Sequence, residues 1–288
     1  MNTSGSIVVG TDGSPPAQAA VRWAAIEAQS RGTALTILNA YDNTWAATPG
    51  LPRRDLADAA DLAEAIVTDA RAAVGTMLFN VTVHTVIAPG DPAAVLIERG
   101  ADADLLVVGH RGRGGFTSLM LGSVSQRVST HARCPTVVVR GRTSAADGPV
   151  LVGADSSSGG ALALDAGFEA ARLRHAPLLA LHAYTEPVPL ATPGLPPIPP
   201  PHTEGLAKFH ASQVNDLLAS RRSQYPDVRV QVQVAAGTAA GPLVGASHHA
   251  QLVVVGSHGH GALTGTLLGS VGHQLLHHAD CPVLIARG

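Results

Sequence analysis

The amino-acid sequence predicts an α/β protein of two repeated, doubly wound domains, each a five-stranded parallel sheet flanked by helices. Three observations predict this class. The chain has 288 residues, which is enough for about two domains. Its second half repeats the first, and short apolar runs alternate with helical stretches within each half. Such alternation is typical of a mainly parallel sheet joined by right-handed crossovers.

The internal repeat predicts the domain organisation. The clearest repeated pairs are GSIVVGTDGS (5–14) with GPVLVGADSS (148–157), LTILNAYD (35–42) with LLALHAYT (178–185), and DLLVVGHRGRGG (104–115) with QLVVVGSHGHGA (251–262). Early pairs lie 143 residues apart and late pairs 147 apart, so the second half has gained a net four residues. The Pro-rich stretch 186–201 is the obvious place. We predict domains at 1–142 and 149–288, joined by a polar linker at 143–148.

Each element of the first half follows from local sequence signals. SIVVG at 6–10 is a buried-strand run, and Ser14-Pro15 after it predicts a helix with a serine N-cap and proline at its first position. Gly32 can end that helix. The series continues with a strand at 35–40, a helix at 54–74, a strand at 81–87, a helix opened by Asp91-Pro92, a strand at 105–109, a helix at 123–132 and a strand at 135–140.

Composition excludes several classes of function. A formal net charge of −2 gives no electrostatic reason to expect nucleic-acid or anionic-membrane partners. The two cysteines are too few for a secreted disulfide scaffold. No apolar run approaches 18 residues, and the first residues lack the pattern of a signal peptide. We therefore expect a soluble, cytoplasmic protein.

A glycine-rich loop, GHRGRGGFTSLMLGS at 109–123, follows the fourth predicted strand. Its spacing, Gly-x2-Gly-x9-Gly-Ser, occurs at Gly109, Gly112, Gly122 and Ser123 and again at Gly256, Gly259, Gly269 and Ser270. Glycines let a backbone approach a phosphate closely, and the first N–H groups of the following helix favour an anion. The loop has no lysine, so it is not a P-loop. The alternative is that the glycines serve only tight turns.

An acidic residue follows the first strand of each half. Asp12 and Asp155 stand at strand ends that meet the glycine loop at one edge of the sheet. A carboxylate in that place suits a ribose hydroxyl, as in other nucleotide-binding folds. The combined pattern predicts one nucleotide site in each half.

VVGTDGS, DLLVVGHRGRGG and LGSVS resemble the universal stress protein family, and the chain as a whole resembles its tandem form. The resemblance covers nearly all of the chain and implies the strand order 3-2-1-4-5, ATP as ligand, and a role in stress response or growth control. It implies that adenine lies at Ala40 and Ala183. It also implies pairing through the last strands, PTVVVR and PVLIAR, either within one chain or in a homodimer.

The loop and the resemblance together give the expected site residues. The first site comprises Gly10, Asp12, Ala40, Gly109, His110, Arg111, Gly112, Arg113, Gly114, Gly115, Gly122, Ser123, Val124 and Ser125. The second comprises Gly153, Asp155, Ala183, Gly256, Ser257, His258, Gly259, His260, Gly261, Ala262, Gly269, Ser270 and Val271. We expect no catalytic and no metal-binding residues in either set. Mg²⁺ can accompany the nucleotide.

The two loops differ in charge. Arg111 and Arg113 in the first correspond to His258 and His260 in the second. Arginine stays charged and can bind a phosphate with two hydrogen bonds, whereas histidine is mostly neutral at pH 7. Ser125, a further hydroxyl donor, is replaced by glycine in the second copy. We expect the second site to bind ATP more weakly, and more tightly as the pH falls toward 6. The alternative is that these side chains face solvent and the backbone alone binds.

An efficient ATPase or kinase would need placed Mg²⁺ ligands, a base and usually a phosphate-binding lysine. His110 could act as a base, but its counterpart is Ser257. We therefore expect a binding module whose nucleotide state is recognised by an unknown protein partner. A slow ATPase or autophosphorylating switch is one alternative. A nucleotide-independent, chaperone-like protein that uses the loop 186–201 is another.

Histidines and cysteines give weaker signals. Eleven of the fourteen histidines lie in the second half, and His273 and His277 are spaced to share a helix face. A third metal ligand is not indicated, so we expect solvated surface histidines. Cys134 and Cys281 occupy matching Cys-Pro positions before the last strand of each half, which favours packing over redox chemistry.

Overall fold

The computed structural model describes residues 5–41, 54–76, 78–113, 121–143, 147–185, 203–259 and 268–288. The strands are β1 (Ser6–Gly10), β2 (Ala34–Tyr41), β3 (Val83–Pro89), β4 (Leu105–Gly109), β5 (Thr136–Val139), β6 (Val150–Gly153), β7 (Leu178–Tyr184), β8 (Val230–Ala236), β9 (Leu252–Gly256) and β10 (Val283–Ala286). The helices are α1 (Pro15–Arg31), α2 (Arg54–Gly75), α3 (Pro92–Arg99), α4 (Ser123–His131), α5 (Ser158–Leu173), α6 (Thr203–Gln224), α7 (Ala240–Ser247) and α8 (Ser270–His278).

The ten strands form one sheet in the order β3-β2-β1-β4-β5-β10-β9-β6-β7-β8. Each half therefore has the order 3-2-1-4-5 with parallel neighbours, as expected. The halves meet at the centre, where β5 and β10 pair antiparallel with Val138 opposite Val283. Of the two pairings left open by the sequence, the structure has the one within the chain. That pairing covers an edge of each half-sheet that would otherwise be exposed.

Local signals account for the start and end of α1. The Ser14 hydroxyl accepts a hydrogen bond from the N–H of Ala17, and Pro15 and Pro16 follow it. Gly32 ends the helix with a left-handed φ of 64°. Each of these features was expected from the sequence.

The predicted third strand starts two residues too early. The structure begins β3 at Val83, because its partner β2 begins at Ala34 and the ladder pairs Leu35 with Val83. Thr82 contributes only its carbonyl, which accepts from the N–H of Leu35. Pairing with the neighbouring strand, rather than local apolarity, therefore sets this end of β3.

Helices cover both faces of the sheet. Ile7 and Val9 of β1 point into an apolar layer shared with α1, α2, α5 and α6. Val8, between them, points into the opposite layer with α3, α4, α7 and α8. Alanine, valine and leucine fill most of both layers, and Phe168 is the largest fully buried side chain. Both layers run across the centre of the sheet, so the two halves share each of the two apolar layers.

An ion pair also joins the halves on the α1 side. Glu27 of α1 is only 3% exposed, and its carboxylate lies 2.5 Å from the guanidinium of Arg174, which follows α5. The other carboxylate oxygen lies 2.7 Å from Arg31. Arg174 also stands 5.6 Å from the ring centre of Trp23. No helix in the described ranges is both long and apolar enough to cross a membrane.

Candidate functional site

Two cavities open at the C-terminal ends of the strands, one in each half. The first has a volume of about 450 Å³ and the second of about 500 Å³, which are typical sizes for a small-molecule site. The predicted residues that line the first are Gly10, Asp12, Ala40, Gly109, Arg111, Gly112, Arg113, Gly122, Ser123, Val124 and Ser125. Those that line the second are Gly153, Asp155, Ala183, Gly256, His258, Gly259, Gly269, Ser270 and Val271.

Asp12 connects three parts of the first pocket. Its Oδ1 accepts from the N–H of Ser14 at 3.0 Å, at the start of α1. Its Oδ2 accepts from the N–H of Arg113 at 2.6 Å, in the glycine loop. A carboxylate has about four acceptor positions. It can therefore keep both backbone bonds and still accept from a ligand hydroxyl.

The glycines of the loop leave room for neighbouring protein groups. A Cβ at Gly112 would lie 2.4 Å from Oδ2 of Asp12, and a Cβ at Gly109 would lie 2.7 Å from the backbone of Pro16. A Cβ at Gly256 would likewise lie 2.5 Å from the backbone of Gly159. Gly109 and Gly256 thus let the first turn of a helix pack on a strand end. The sequence interpretation had assigned these glycines to the ligand or, as the alternative, to tight turns, and had not predicted this packing.

The first residues of α4 line the first pocket. Gly122 is the N-cap and provides no side chain to accept from them. Its own N–H donates to the carbonyl of His110 at 2.8 Å, which closes the glycine loop. The Ser125 hydroxyl donates to the carbonyl of Gly109 at 2.6 Å, so it is not the free donor expected from the sequence. The anion-binding groups offered here are backbone N–H groups.

Two arginines of the loop line the first pocket from the outer side. The guanidinium of Arg113 lies over Gly13, where a Cβ would meet its Nη2 at 2.6 Å. Gly13 has a φ of 78°, a conformation that suits glycine. Arg111 and Arg113 also line a shallower neighbouring cavity beside the start of α1. Positive charge therefore stands at the open side of this pocket.

His110 is an expected site residue that does not line the cavity. Its N–H donates to the carbonyl of Val139 at 3.0 Å, so the residue fastens the loop to β5. Burial lowers the pKa of its imidazole, and the neighbouring Arg111 lowers it further. Ser257, the counterpart, is also absent from the lining, and its N–H donates to Ala286 at 3.1 Å.

The second pocket repeats this framework with different side chains. Asp155 Oδ1 accepts from the N–H and the hydroxyl of Ser157. A Cβ at Gly259 would lie 2.8 Å from Asp155 Oδ2, as at the matching position of the first half. Gly269 caps α8 without a side-chain hydrogen bond. The ring of His258 lies 3.1 Å from the hydroxyl of Ser257.

His182 is a pocket residue that the sequence interpretation missed. Its Nδ1 lies 2.8 Å from the carbonyl of Ala154, so Nδ1 carries the proton. Asn39, at the matching position, donates from its amide to the carbonyl of Thr11 at 2.6 Å but does not line the first pocket. Alignment of LTILNAYD with LLALHAYT could have identified this difference. Other lining residues not expected are Thr11, Ala17, Leu38, Pro92, Leu96 and Val108 in the first pocket and Ala154, Ser156, Leu181, Ala239, Leu243, Val255, Leu268 and Gly272 in the second.

Some expected residues lie outside the described residues. These are Gly114, Gly115, His260, Gly261 and Ala262, together with the loop 186–201 and the middle of the linker, 144–146. The comparison of the two glycine loops therefore rests on Arg111 and His258.

The histidines of α8 are only partly as expected. His273 and His277 share a face, with ring centres 4.6 Å apart. His277 is half-buried rather than solvated, and its buried Nε2 has no hydrogen-bond partner among the described residues. Burial, the other two histidines of α8 and Arg140 lower its pKa. The described residues contain no group of three or more His, Cys, Asp or Glu side chains suited to a metal.

Both cysteines are buried and free. Burial raises the pKa of the Cys134 thiol and raises that of Cys281 to about 12. A thiol of this kind is unreactive near neutral pH. The environment agrees with the packing role expected from the sequence.

Comparison with known proteins agrees with this architecture. A family model described as the universal stress protein family matches residues 4–140 and 148–287. A universal stress protein of Mycobacterium tuberculosis is 38% identical over 296 residues, covering 99% of this chain and 97% of the relative. Another, from Mycolicibacterium smegmatis, is 34% identical over 297 residues, covering 99% and 98%. A universal stress protein structure from Archaeoglobus fulgidus, 17% identical, has the same fold with a TM-score of 0.71, covering 98% of this chain and 96% of that chain. The chain therefore belongs to the universal stress protein family, in tandem form.

Proposed function

We propose that each half binds one ATP molecule and that the protein acts as a nucleotide-dependent binding module in stress response or growth control. The observation that carries the proposal is the repeated combination in the two cavities. Each unites a carboxylate after the first strand, a glycine loop after the fourth strand, and a helix whose first N–H groups have no side-chain cap. Together these groups offer acceptors for a ribose and donors for a phosphate.

The proposed orientation follows from the chemistry of each wall. Ala40, Leu38 and Leu96 give the first cavity an apolar side that suits adenine. Asp12 has acceptor positions left for a ribose hydroxyl. The triphosphate then extends toward the N–H groups that begin at Ser123, with Arg111 at the open side. In the second cavity Ala183, Asp155 and Ser270 take the corresponding roles.

We propose binding rather than rapid hydrolysis. The donors around the proposed phosphate position are backbone N–H groups and arginines, which hold charge but do not remove a proton from water. His110 does not line the cavity, and its backbone N–H is hydrogen-bonded to β5. Mg²⁺ would enter with the nucleotide, since its phosphates supply oxygen ligands.

The direct test is the nucleotide retained by gently purified protein, identified by mass spectrometry and counted per chain. Calorimetric titration of nucleotide-stripped protein should then give two ATP sites. Gly112→Val should remove the first site, because its side chain would displace the Asp12 carboxylate. Gly259→Val should remove the second. Gly205→Ala, at a helix position with open space around it, is the matched control and should keep both.

Two outcomes would overturn the proposal. One is titration of folded wild-type protein without heat or saturation at millimolar ATP. The other is single-turnover hydrolysis faster than about 1 s⁻¹ at 25 °C, the lower end of ordinary enzyme rates. The second result would favour an ATPase over a binding module.

A further inference from the structure

Two arginines cross the boundary between the halves in matching ways. Arg140, directly after β5, donates from Nη1 to the carbonyls of Leu276 and Leu275 in α8. Arg287, directly after β10, donates from Nη2 to the carbonyl of Ser129 in α4. Arg140 and Arg287 are 147 residues apart, as are Ser129 and Leu276. The exchange is therefore reciprocal: each half contributes an arginine to a helix of the other.

The carbonyls concerned belong to the last turns of α4 and α8. The last four carbonyls of a helix have no partner within it, and they carry the negative end of the helix dipole. In α4 the N–H of Ala132 donates to the carbonyl of Val128, so the carbonyl of Ser129 is the next one open to a donor. In α8 the N–H of Ala279 donates to the carbonyl of Leu275, so the carbonyl of Leu276 is the next one open to a donor. Each arginine thus binds the first carbonyl without a backbone N–H partner near the end of the helix that it contacts in the other half.

The same two helices begin at the pockets. The first residues of α4 line the first cavity, and those of α8 line the second. Each helix has nine residues, so it is about 14 Å long. Helices this short are not stable alone, and their position depends on contacts at both ends. An arginine that holds one end of the helix therefore affects the position of the N–H groups at the other end.

Burying the two arginine side chains carries an electrostatic cost. Burial lowers the pKa of Arg287 to about 10 and also lowers that of Arg140. Arg287 makes one further bond, from Nη1 to the Thr136 hydroxyl at 3.4 Å. The helix carbonyls compensate in part for placing these charges out of water, and the nearby carboxylate of Asp280 does so as well for Arg140.

We propose that Arg140 and Arg287 are positioning residues for the nucleotide site of the opposite half. Arg140 holds α8 so that its first N–H groups point into the second cavity, and Arg287 does the same for α4 and the first cavity. The inference rests on the proposed function, because its effect is on nucleotide binding. Neither arginine is among the residues that line the two cavities.

The test measures each site alone. Gly112→Val leaves only the second site and Gly259→Val leaves only the first, and each parent receives Arg140→Gln or Arg287→Gln. Calorimetry with ATP should show a crossed pattern. Arg140→Gln should weaken the second site about five- to tenfold and leave the first unchanged, and Arg287→Gln should do the reverse, as expected from losing a cation at a helix C-terminus. Arg140→Lys, which keeps the charge, should recover part of the loss.

The readout separates positioning from a general loss of structure. Arg172→Gln, in an exposed ion pair with Glu169, is the control and should change neither site. Equal weakening of both sites by each arginine variant, or weakening only within the variant's own half, would overturn the inference. If neither single-site parent binds ATP while both remain folded by circular dichroism, the proposed function itself fails.

Discussion

The carboxylate of Asp12 accepts a 2.6 Å hydrogen bond from the N–H of Arg113, a residue 101 positions further along the chain. The contact joins the turn after β1 to the glycine loop after β4. The other carboxylate oxygen of Asp12, Oδ1, accepts a hydrogen bond from the N–H of Ser14 at the start of α1. The acid thus organises the pocket wall as well as offering acceptors to a ligand.

This double role predicts a large effect of Asp12→Asn. An asparagine side chain has one acceptor oxygen, and its amide would point two donors toward the N–H of Arg113 or Ser14. We expect ATP affinity of the first site to fall at least about tenfold, as for the loss of a charged hydrogen bond. Titration of the variant in the Gly259→Val background measures this site alone. Asp155→Asn in the Gly112→Val background is the matched test, and unchanged affinity in both would contradict the assignment.

The charge difference between the loops predicts an effect of exchange. Arg111 and His258 occupy matching positions and both line their cavities. We expect Arg111→His to weaken the first site at pH 8 and His258→Arg to strengthen the second. Arginine stays charged and can bind a phosphate with two hydrogen bonds. The two arginine-bearing sites should therefore bind ATP more tightly than the two histidine-bearing sites.

Affinities from titrations at pH 8, in single-site backgrounds, check the exchange. Equal affinities for all four sites would mean that these side chains face solvent and the backbone binds alone. That was the alternative left open by the sequence.

The sequence predicted most of the fold because the repeat shows the sequence pattern of each element twice. Caps such as Ser14 and Gly32 are local signals, and they were read correctly. The start of β3 was not, because it depends on pairing with Leu35 rather than on local apolarity. Likewise, no pattern in the sequence alone could decide whether β5 pairs with β10 of the same chain.

The candidate site was predicted in outline for the same reason. Asp12 and the glycine spacing mark it in the sequence. The apolar wall formed by Leu38 and Leu96 comes from separate elements, and ordinary core leucines give no signal of that role. The hydroxyl of Ser125 was assigned to a ligand, whereas it donates to the backbone carbonyl of Gly109. A hydrogen bond of this kind depends on how α4 packs against the end of β4, which the sequence pattern does not specify.

The close approach of α1 to β4 predicts a cost for Gly109→Ala. The added Cβ would lie 2.7 Å from backbone atoms of Pro16, which cannot rotate away as a side chain could. We expect a loss of about 1–3 kcal/mol in the free energy of unfolding, as for overpacked sites. Gly205→Ala adds a Cβ that no described residue beyond its own stretch of helix approaches within 4 Å, so it should instead be neutral or stabilise by up to about 1 kcal/mol. Urea unfolding of both variants checks the prediction, and similar values for the two would refute the packing role.

The buried ion pair between the halves gives the last prediction. Glu27 lies between Arg31 and Arg174, and the side chains of these arginines are only 23% and 16% exposed. Removing the carboxylate charge leaves two arginines close together with little water to compensate them. We expect Glu27→Gln to lower the free energy of unfolding by about 3 kcal/mol. Glu169→Gln is the matched control. It breaks a more exposed pair with Arg172 and should cost at most about 1 kcal/mol. Equal midpoints in urea for the two variants would show that the contact between α1 and Arg174 contributes little to joining the halves.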